Sequence, residues 1–130
     1  METARETILA IDDDTEVLNL LMDLLEPEGY RVECVHSAAA GLSRLQRGPV
    51  DLILADLILP DMSGLEFCEQ VRASQQLKLV PIIVVSAASG SCWKESSVAA
   101  GANGYISKPF DIDELLGLVQ MHLAPVAALR

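Results

Sequence analysis

The residues of this 130-residue chain best placed for chemistry are carboxylates. Asp12, Asp13 and Asp14 follow one apolar run, and Asp56 stands inside another, Leu54-Ala55-Asp56-Leu57-Ile58-Leu59-Pro60. A lone carboxylate in apolar surroundings gives up its charge unless a cation is close. Two carboxylates about 4 Å apart repel by roughly 4 kcal/mol at an effective dielectric near 20, so a cluster of three needs positive charge within it. Lys108 offers one unit and a divalent cation two. Hard carboxylate oxygens and water suit Mg²⁺ or Mn²⁺. A metal beside a lysine and a hydroxyl, such as that of Ser86, is built to receive a phosphoryl group. Asp56 is then a nucleophile whose attack on phosphorus gives an aspartyl phosphate.

That chemistry requires residues far apart in sequence to meet. "TILAI" (7–11), "DLILA" (51–55) and "PIIVVS" (81–86) are short uncharged runs, the pattern of strands covered on both faces. "YRVECV" (30–35) alternates like a strand, and "GYIS" (104–107) is a last short one. Between them lie helical patterns. Val17, Leu20, Leu21, Leu24 and Leu25 form one stripe, stopped by Pro27 and Gly29. "AAAGLSRLQR" is capped by Ser37 and closed by Gly48 and Pro49. "DMSG" is turn chemistry, followed by a stripe of Leu65, Cys68 and Val71. The serine-rich stretch 89–97 leads into a short helical segment at Ser96–Ala100, ended by Gly101. "DIDE" (111–114) reads as a capping box that opens a helix with Ile112, Leu115, Leu116 and Val119 inward.

Strand and helix thus alternate five times, which predicts an α/β fold: a doubly wound five-stranded parallel sheet with helices on both faces. Ligands of such sheets bind beyond the carboxyl ends of the strands. Asp12–Asp14 and Lys108 follow strands and Asp56 and Ser86 end them, so all lie at carboxyl ends and share that edge. Singly, each has a plainer explanation: acids after a strand favour a helix dipole, a serine caps a helix, a lysine is a solvated charge. Their joint placement favours a site.

Composition narrows the partners. A net charge of −10 repels phosphate backbones, which argues against direct nucleic-acid binding. No apolar run approaches the roughly 18 residues of a membrane span, and "METARE" does not open a secretory signal, so a cytoplasmic location is expected. Cys34, Cys68 and Cys92, odd in number and widely spaced, read as small buried hydrophobes of a reducing compartment. His36 and His122 read as surface residues. Trp93 either packs under its loop or is offered to a partner.

"ILAIDDD", "DLILADLILPDMSGLEFC", "PIIVVSA" and "GANGYISKPF", in this order and spacing, closely resemble the receiver domain of two-component response regulators. The likeness runs over residues 7–123, leaving 1–6 as an N-terminal extension and 124–130 as a tail or the start of a linker. It implies a flavodoxin-like sheet of strand order 2-1-3-4-5. It also implies that Asp56 accepts a phosphoryl group from a sensor histidine kinase or a histidine phosphotransfer protein. Asp13 would hold Mg²⁺ directly and Asp12 mainly through water, with Asp56 and the Ile58 carbonyl completing the protein ligands. Ser86 and Tyr105 would be the switch residues. Lys108 would pair with phosphoryl oxygens, aimed by a cis peptide to Pro109. A downstream partner or an output domain would read the face of helix four, strand five and helix five, and phosphorylation could drive homodimerisation.

Two departures matter. Ile58 and Ala88 occupy positions where many receivers carry polar groups that orient the hydrolytic water, which implies slow loss of phosphate. The stretch "ASGSCWKESS" is more serine-rich than usual. Two rivals remain: a hydrolase using Asp12-x-Asp14, although Glu16 stands where that phosphatase motif wants Thr or Val, and a receiver-like docking module that takes no phosphate.

Overall fold

The computed structural model describes residues 5–88 and 90–123. The predicted extension at 1–6 is therefore described only at Arg5 and Glu6, and the tail at 124–130 lies outside the described residues. Five strands, β1 (Thr7–Ile11), β2 (Arg31–Val35), β3 (Leu52–Ala55), β4 (Ile82–Ser86) and β5 (Gly104–Ser107), form one parallel sheet in the order β2-β1-β3-β4-β5. The helices are α1 (Thr15–Leu25), α2 (Ala38–Gln46), α3 (Gly64–Ala73), α4 (Ser91–Ala100) and α5 (Ile112–Leu123). This is the doubly wound sheet predicted above.

The alternation of side chains along each strand divides the core in two. Leu9, Ile11, Ile53, Ala55, Ile82 and Val84 face one side, where they pack against Ala38 and Leu45 of α2, Phe67, Cys68 and Val71 of α3, and Ala100 of α4. Ile8, Ala10, Leu52, Leu54, Ile83 and Val85 face the other, against Leu18, Leu21 and Leu25 of α1 and Leu115, Val119 and Leu123 of α5. Burying both faces is why β1, β3 and β4 carry no charge, whereas the edge strand β2, partly open to solvent, carries Arg31 and Glu33.

Several local expectations are corrected. The buried stripe of α1 is Leu18, Leu21 and Leu25, while Leu20 is exposed. Both phases of this leucine-rich helix are apolar, so periodicity alone selects neither. In α3, Cys68 and Val71 face inward as expected, but Phe67 joins them and Leu65 is only half-buried. Ile112 at the start of α5 is exposed. α4 begins at Ser91, a turn and more before the predicted start. Its serines are weak helix formers, but Ser97 is fully buried and donates its hydroxyl to the Trp93 carbonyl at 2.8 Å, and the glycine cap Gly101 closes the helix with φ 113°. Cys92 is exposed, unlike the buried Cys68, and all three cysteines are free. The α5 capping box is present by half: Asp111 accepts from the Asp113 N–H at 3.1 Å, with no return bond from Glu114 among those described. No described helix is long and apolar enough to cross a membrane.

Candidate functional site

β1 and β3 are adjacent in the sheet, with Ile11 opposite Ala55. The next residue of each strand is an aspartate, and the Asp56 N–H still donates to the Ile11 carbonyl at 3.1 Å. The sheet therefore delivers Asp12 and Asp56 side by side at its carboxyl edge, where the strand order reverses direction. Both are buried, at 3% and 7% exposure, in a rim whose floor is the apolar core. Asp13, one residue further along the turn, is exposed. One carboxylate oxygen from each of Asp12, Asp13 and Asp56 lies within 4.8 Å of the others. Asp14 belongs to α1 instead: its side chain caps the helix by accepting from the Glu16 N–H at 2.9 Å.

Lys108 directly follows β5 and is joined to Pro109 by a cis peptide, with its own N–H donating to the Ser86 carbonyl at 2.8 Å. Its ammonium donates to Asp12 Oδ2 at 2.6 Å and to Asp56 Oδ2 at 3.1 Å. The remaining oxygens are also engaged: Asp12 Oδ1 accepts from the Asp14 N–H at 2.9 Å and Asp56 Oδ1 from the Ile58 N–H at 3.2 Å. Burial pushes the Asp12 carboxyl above its ordinary value, against the lowering pull of the Lys108 bond and of the Asp14 amide. Burial by itself pushes the Lys108 ammonium down, but its bonds to Asp12 and Asp56 overcome this and hold it above its ordinary value.

One lysine against three acids leaves the cluster two charges short of neutrality. At these separations each carboxylate pair repels by about 3 kcal/mol at an effective dielectric near 20, less where Asp13 meets solvent. A divalent cation would cancel the deficit. The donors are hard oxygens, three of them close enough to share one ion, and the rim is open on the Asp13 side, so the residues present fit Mg²⁺ or Mn²⁺.

Ser86 ends β4, is fully buried, and accepts from the Ala88 N–H at 3.3 Å. The Tyr105 hydroxyl donates to the Ala88 carbonyl. The two residues expected to act as switches thus hold the two sides of one residue in the β4–α4 loop. Burial raises the Tyr105 phenol above its ordinary value, and the Asp56 charge adds to this.

Two residues beside the site were not singled out from sequence. Gly64, the first residue of α3, lies under the acceptor strand: a Cβ there would stand 2.2 Å from the Asp56 carbonyl oxygen and 2.7 Å from Leu57 Cα. Asp61, at the tip of the same loop, accepts from the Ala38 and Ala39 amides at 3.0 and 2.7 Å. "DMSG" signals a turn, but no spacing rule says which distant backbone a turn residue will meet. His36 is exposed and shares a 3.3 Å contact with Thr15, and His122 is half-buried with Nδ1 2.9 Å from the Leu118 carbonyl.

Comparison with known proteins agrees with this fold. The sequence profile of the response regulator receiver domain matches residues 8–120. Response regulator ArlR of Staphylococcus saprophyticus is 38% identical over 116 residues, 89% of this chain and 51% of that protein. ArlR of Staphylococcus aureus strain Mu50 is 36% identical over 113 residues, 87% of this chain and 50% of that protein. The chain therefore spans about half the length of these curated relatives. Among solved structures, a candidate response regulator of Chloroflexus aurantiacus superposes with a TM-score of 0.89 at 32% identity, over 94% of this chain and 100% of that one. The chemotaxis response regulator CheY4 of Vibrio cholerae does so at 0.86 and 31%, over 92% of this chain and 100% of that one. A flavodoxin-like sheet that sets two buried aspartates beside a third and a lysine, together with these matches along nearly its whole length, makes this chain a member of the receiver-domain family of two-component response regulators.

Proposed function

We propose that the chain is a phosphoacceptor switch in which Asp56 takes a phosphoryl group from a phosphohistidine of a sensor kinase or histidine phosphotransfer protein. The observation that carries this reading is the convergence of Asp12, Asp13 and Asp56 within 4.8 Å, with Lys108 bridging two of them. Asp12, Asp13, Asp56 and the Ile58 carbonyl are the groups that would hold Mg²⁺. The ion's contribution is to offset charge on the phosphoryl oxygens and on the acids themselves.

In the transfer, an Asp56 carboxylate oxygen forms a bond to phosphorus as the donor's nitrogen–phosphorus bond breaks, and the imidazole leaves with the electron pair. Lys108 exchanges part of its carboxylate contacts for phosphoryl oxygens and stays charged throughout, its raised pKa keeping the proton in place. Ser86 releases the Ala88 amide to donate its hydroxyl to the new group. Because Tyr105 holds the same residue by its carbonyl, the change at Ser86 reaches the start of α4 and the face of α4, β5 and α5. That face biases two pre-existing states of the domain and is where a downstream partner, an output domain or a second copy would read the signal.

Ile58 is 64% exposed and apolar, and Ala88 has no polar atom in its side chain, so neither orients a water toward phosphorus. The acyl phosphate of the isolated domain is therefore long-lived. The deciding experiment is intact-mass measurement after incubation with acetyl phosphate and Mg²⁺. One phosphate on the wild type, none on Asp56→Asn and none in EDTA support the reading, and loss slower than minutes after donor removal supports the long lifetime. A folded wild type that takes no phosphate would leave a docking module as the better account.

A further inference from the structure

The loop that carries Asp56 and Ile58 into the rim is fastened at its tip by a residue with no part in the proposed phosphoryl transfer. Its root is held from the core side by Leu57 and Leu59, both buried. It then folds back on itself: Ile58 forms an antiparallel bridge with Ser63, and the Gly64 N–H donates to the Leu57 carbonyl at 2.8 Å. The Ile58 side chain is exposed, so packing does not fix this residue. Among the described residues, the hydrogen bonds that tie the loop's tip to α2 are both made by Asp61, one carboxylate oxygen to each of the Ala38 and Ala39 amides, and beside them the Met62 sulfur accepts only a long 3.8 Å contact from Gln70 of α3. Those amides are the first two of α2, and the third, Ala40, is already satisfied by the Ser37 hydroxyl at 3.1 Å. α2 thus carries two caps, one from its own chain and one lent by the loop of the site. Their effects on the helix are alike, and only one of them reaches the rim. The Ala39 amide does most to hold the Asp61 carboxyl below its ordinary value, against the raising effect of burial, with help from the Ala38, Asp61 and Met62 amides.

We propose that Asp61 is a positioning residue for the metal site: by pinning the tip of the β3–α3 loop to α2, it fixes the Ile58 carbonyl relative to the Asp12, Asp13 and Asp56 carboxylates. This inference rests on the reading of that rim as a Mg²⁺ site. Metal held by several ligands on separate segments loses affinity when one segment is free to drift. The coupling runs both ways, so an ion that orders the Ile58 carbonyl also tightens the Asp61 bonds and is felt at the α2 amides.

The test titrates MgCl₂ into wild type, Asp61→Ala, Asp61→Asn and Ser37→Ala, reading ¹H–¹⁵N spectra and thermal unfolding with and without the ion. Groups that orient metal ligands are commonly worth about 10- to 100-fold in affinity, and for one carbonyl among several ligands we expect Asp61→Ala to weaken Mg²⁺ about three- to tenfold. Asp61→Asn keeps one acceptor oxygen and falls between. Ser37→Ala removes the other cap of the same helix and leaves the affinity within about twofold, because its target amide does not touch the loop. In the wild type the Ala38 and Ala39 amide signals move on adding Mg²⁺. Equal affinity of wild type and Asp61→Ala, or equal weakening by Ser37→Ala, overturns the positioning role while leaving the metal site standing. A wild type with no saturable Mg²⁺ response overturns both.

Discussion

Gly64→Ala is the smallest change that reaches the acceptor without altering any group that reacts. The added Cβ would sit 2.2 Å from the Asp56 carbonyl oxygen, and ordinary contact begins at 3.4 Å, so the two must part by about 1.2 Å. The neighbours are backbone atoms of Asp56 and Leu57, which cannot rotate away as a side chain can. Overpacking of this kind costs about 1–3 kcal/mol, offset by a few tenths from the better helix former at the start of α3. Chemistry is more sensitive than stability here, since a misplacement of about 1 Å can cost on the order of 100-fold in rate. The expected result is a domain that still folds, loses about 1–3 kcal/mol in urea unfolding, and takes phosphate from acetyl phosphate about 100-fold more slowly at saturating Mg²⁺. Gly41→Ala is the control, because its nearest obstacle at 2.6 Å is the terminal methyl of Ile11, a side chain able to turn aside. A Gly64→Ala protein with wild-type stability and a phosphorylation rate within about threefold would refute the idea that this contact sets the acceptor's position.

Three further outcomes are expected. Asp13→Asn should raise the melting temperature in EDTA by relieving like-charge repulsion and abolish the extra stability that Mg²⁺ gives the wild type; calorimetry in both buffers reads the reversal, and a lower melting point in EDTA would contradict it. Arg72→Met should cost about 2–4 kcal/mol in urea unfolding, because the guanidinium donates to the Gly101 and Val80 carbonyls and to Asn103 Oδ1 at 2.9, 2.6 and 2.7 Å, and Arg72→Lys, lacking the planar fork, should recover less than half of that. Native thiol labelling followed by mass mapping should modify the exposed Cys92 first and spare Cys68, which burial pushes up to about 11, until the protein unfolds; early labelling of Cys68 would show the α3 face to be open.

The legible parts of this protein were those governed by short-range rules. Uncharged runs at β1, β3 and β4 alternating with amphipathic helices specify a covered parallel sheet, and the sheet in turn brings strand-end residues together, so the grouping of Asp12, Asp56 and Lys108 is written in the sequence. The phase of α1 was not legible because Val17, Leu20 and Leu24 are as apolar as Leu18, Leu21 and Leu25, and only packing on β1 and β2 separates them. The first turns of α4 were hidden by serines whose weak propensity is overridden by burial of Ser97. Arg72, Asp61 and Gly64 escaped for a third reason: each acts on main-chain atoms of a distant segment, and a backbone carbonyl or amide leaves no signature in the residue types.

The separation of Asp12 and Asp56 is set by neither side chain nor loop. It is the pitch of the β1–β3 ladder, carried one residue past Ile11 and Ala55. The acid pair is therefore as rigid as the sheet's centre and should melt only with it, whereas Lys108, delivered by the edge strand and the turn after it, is on a separate tether. Fraying at the β5 side would uncouple the cation from an anion pair that stays assembled. A gradual loosening of the domain would thus show first as a strengthening demand for external positive charge, well before any loss of the sheet.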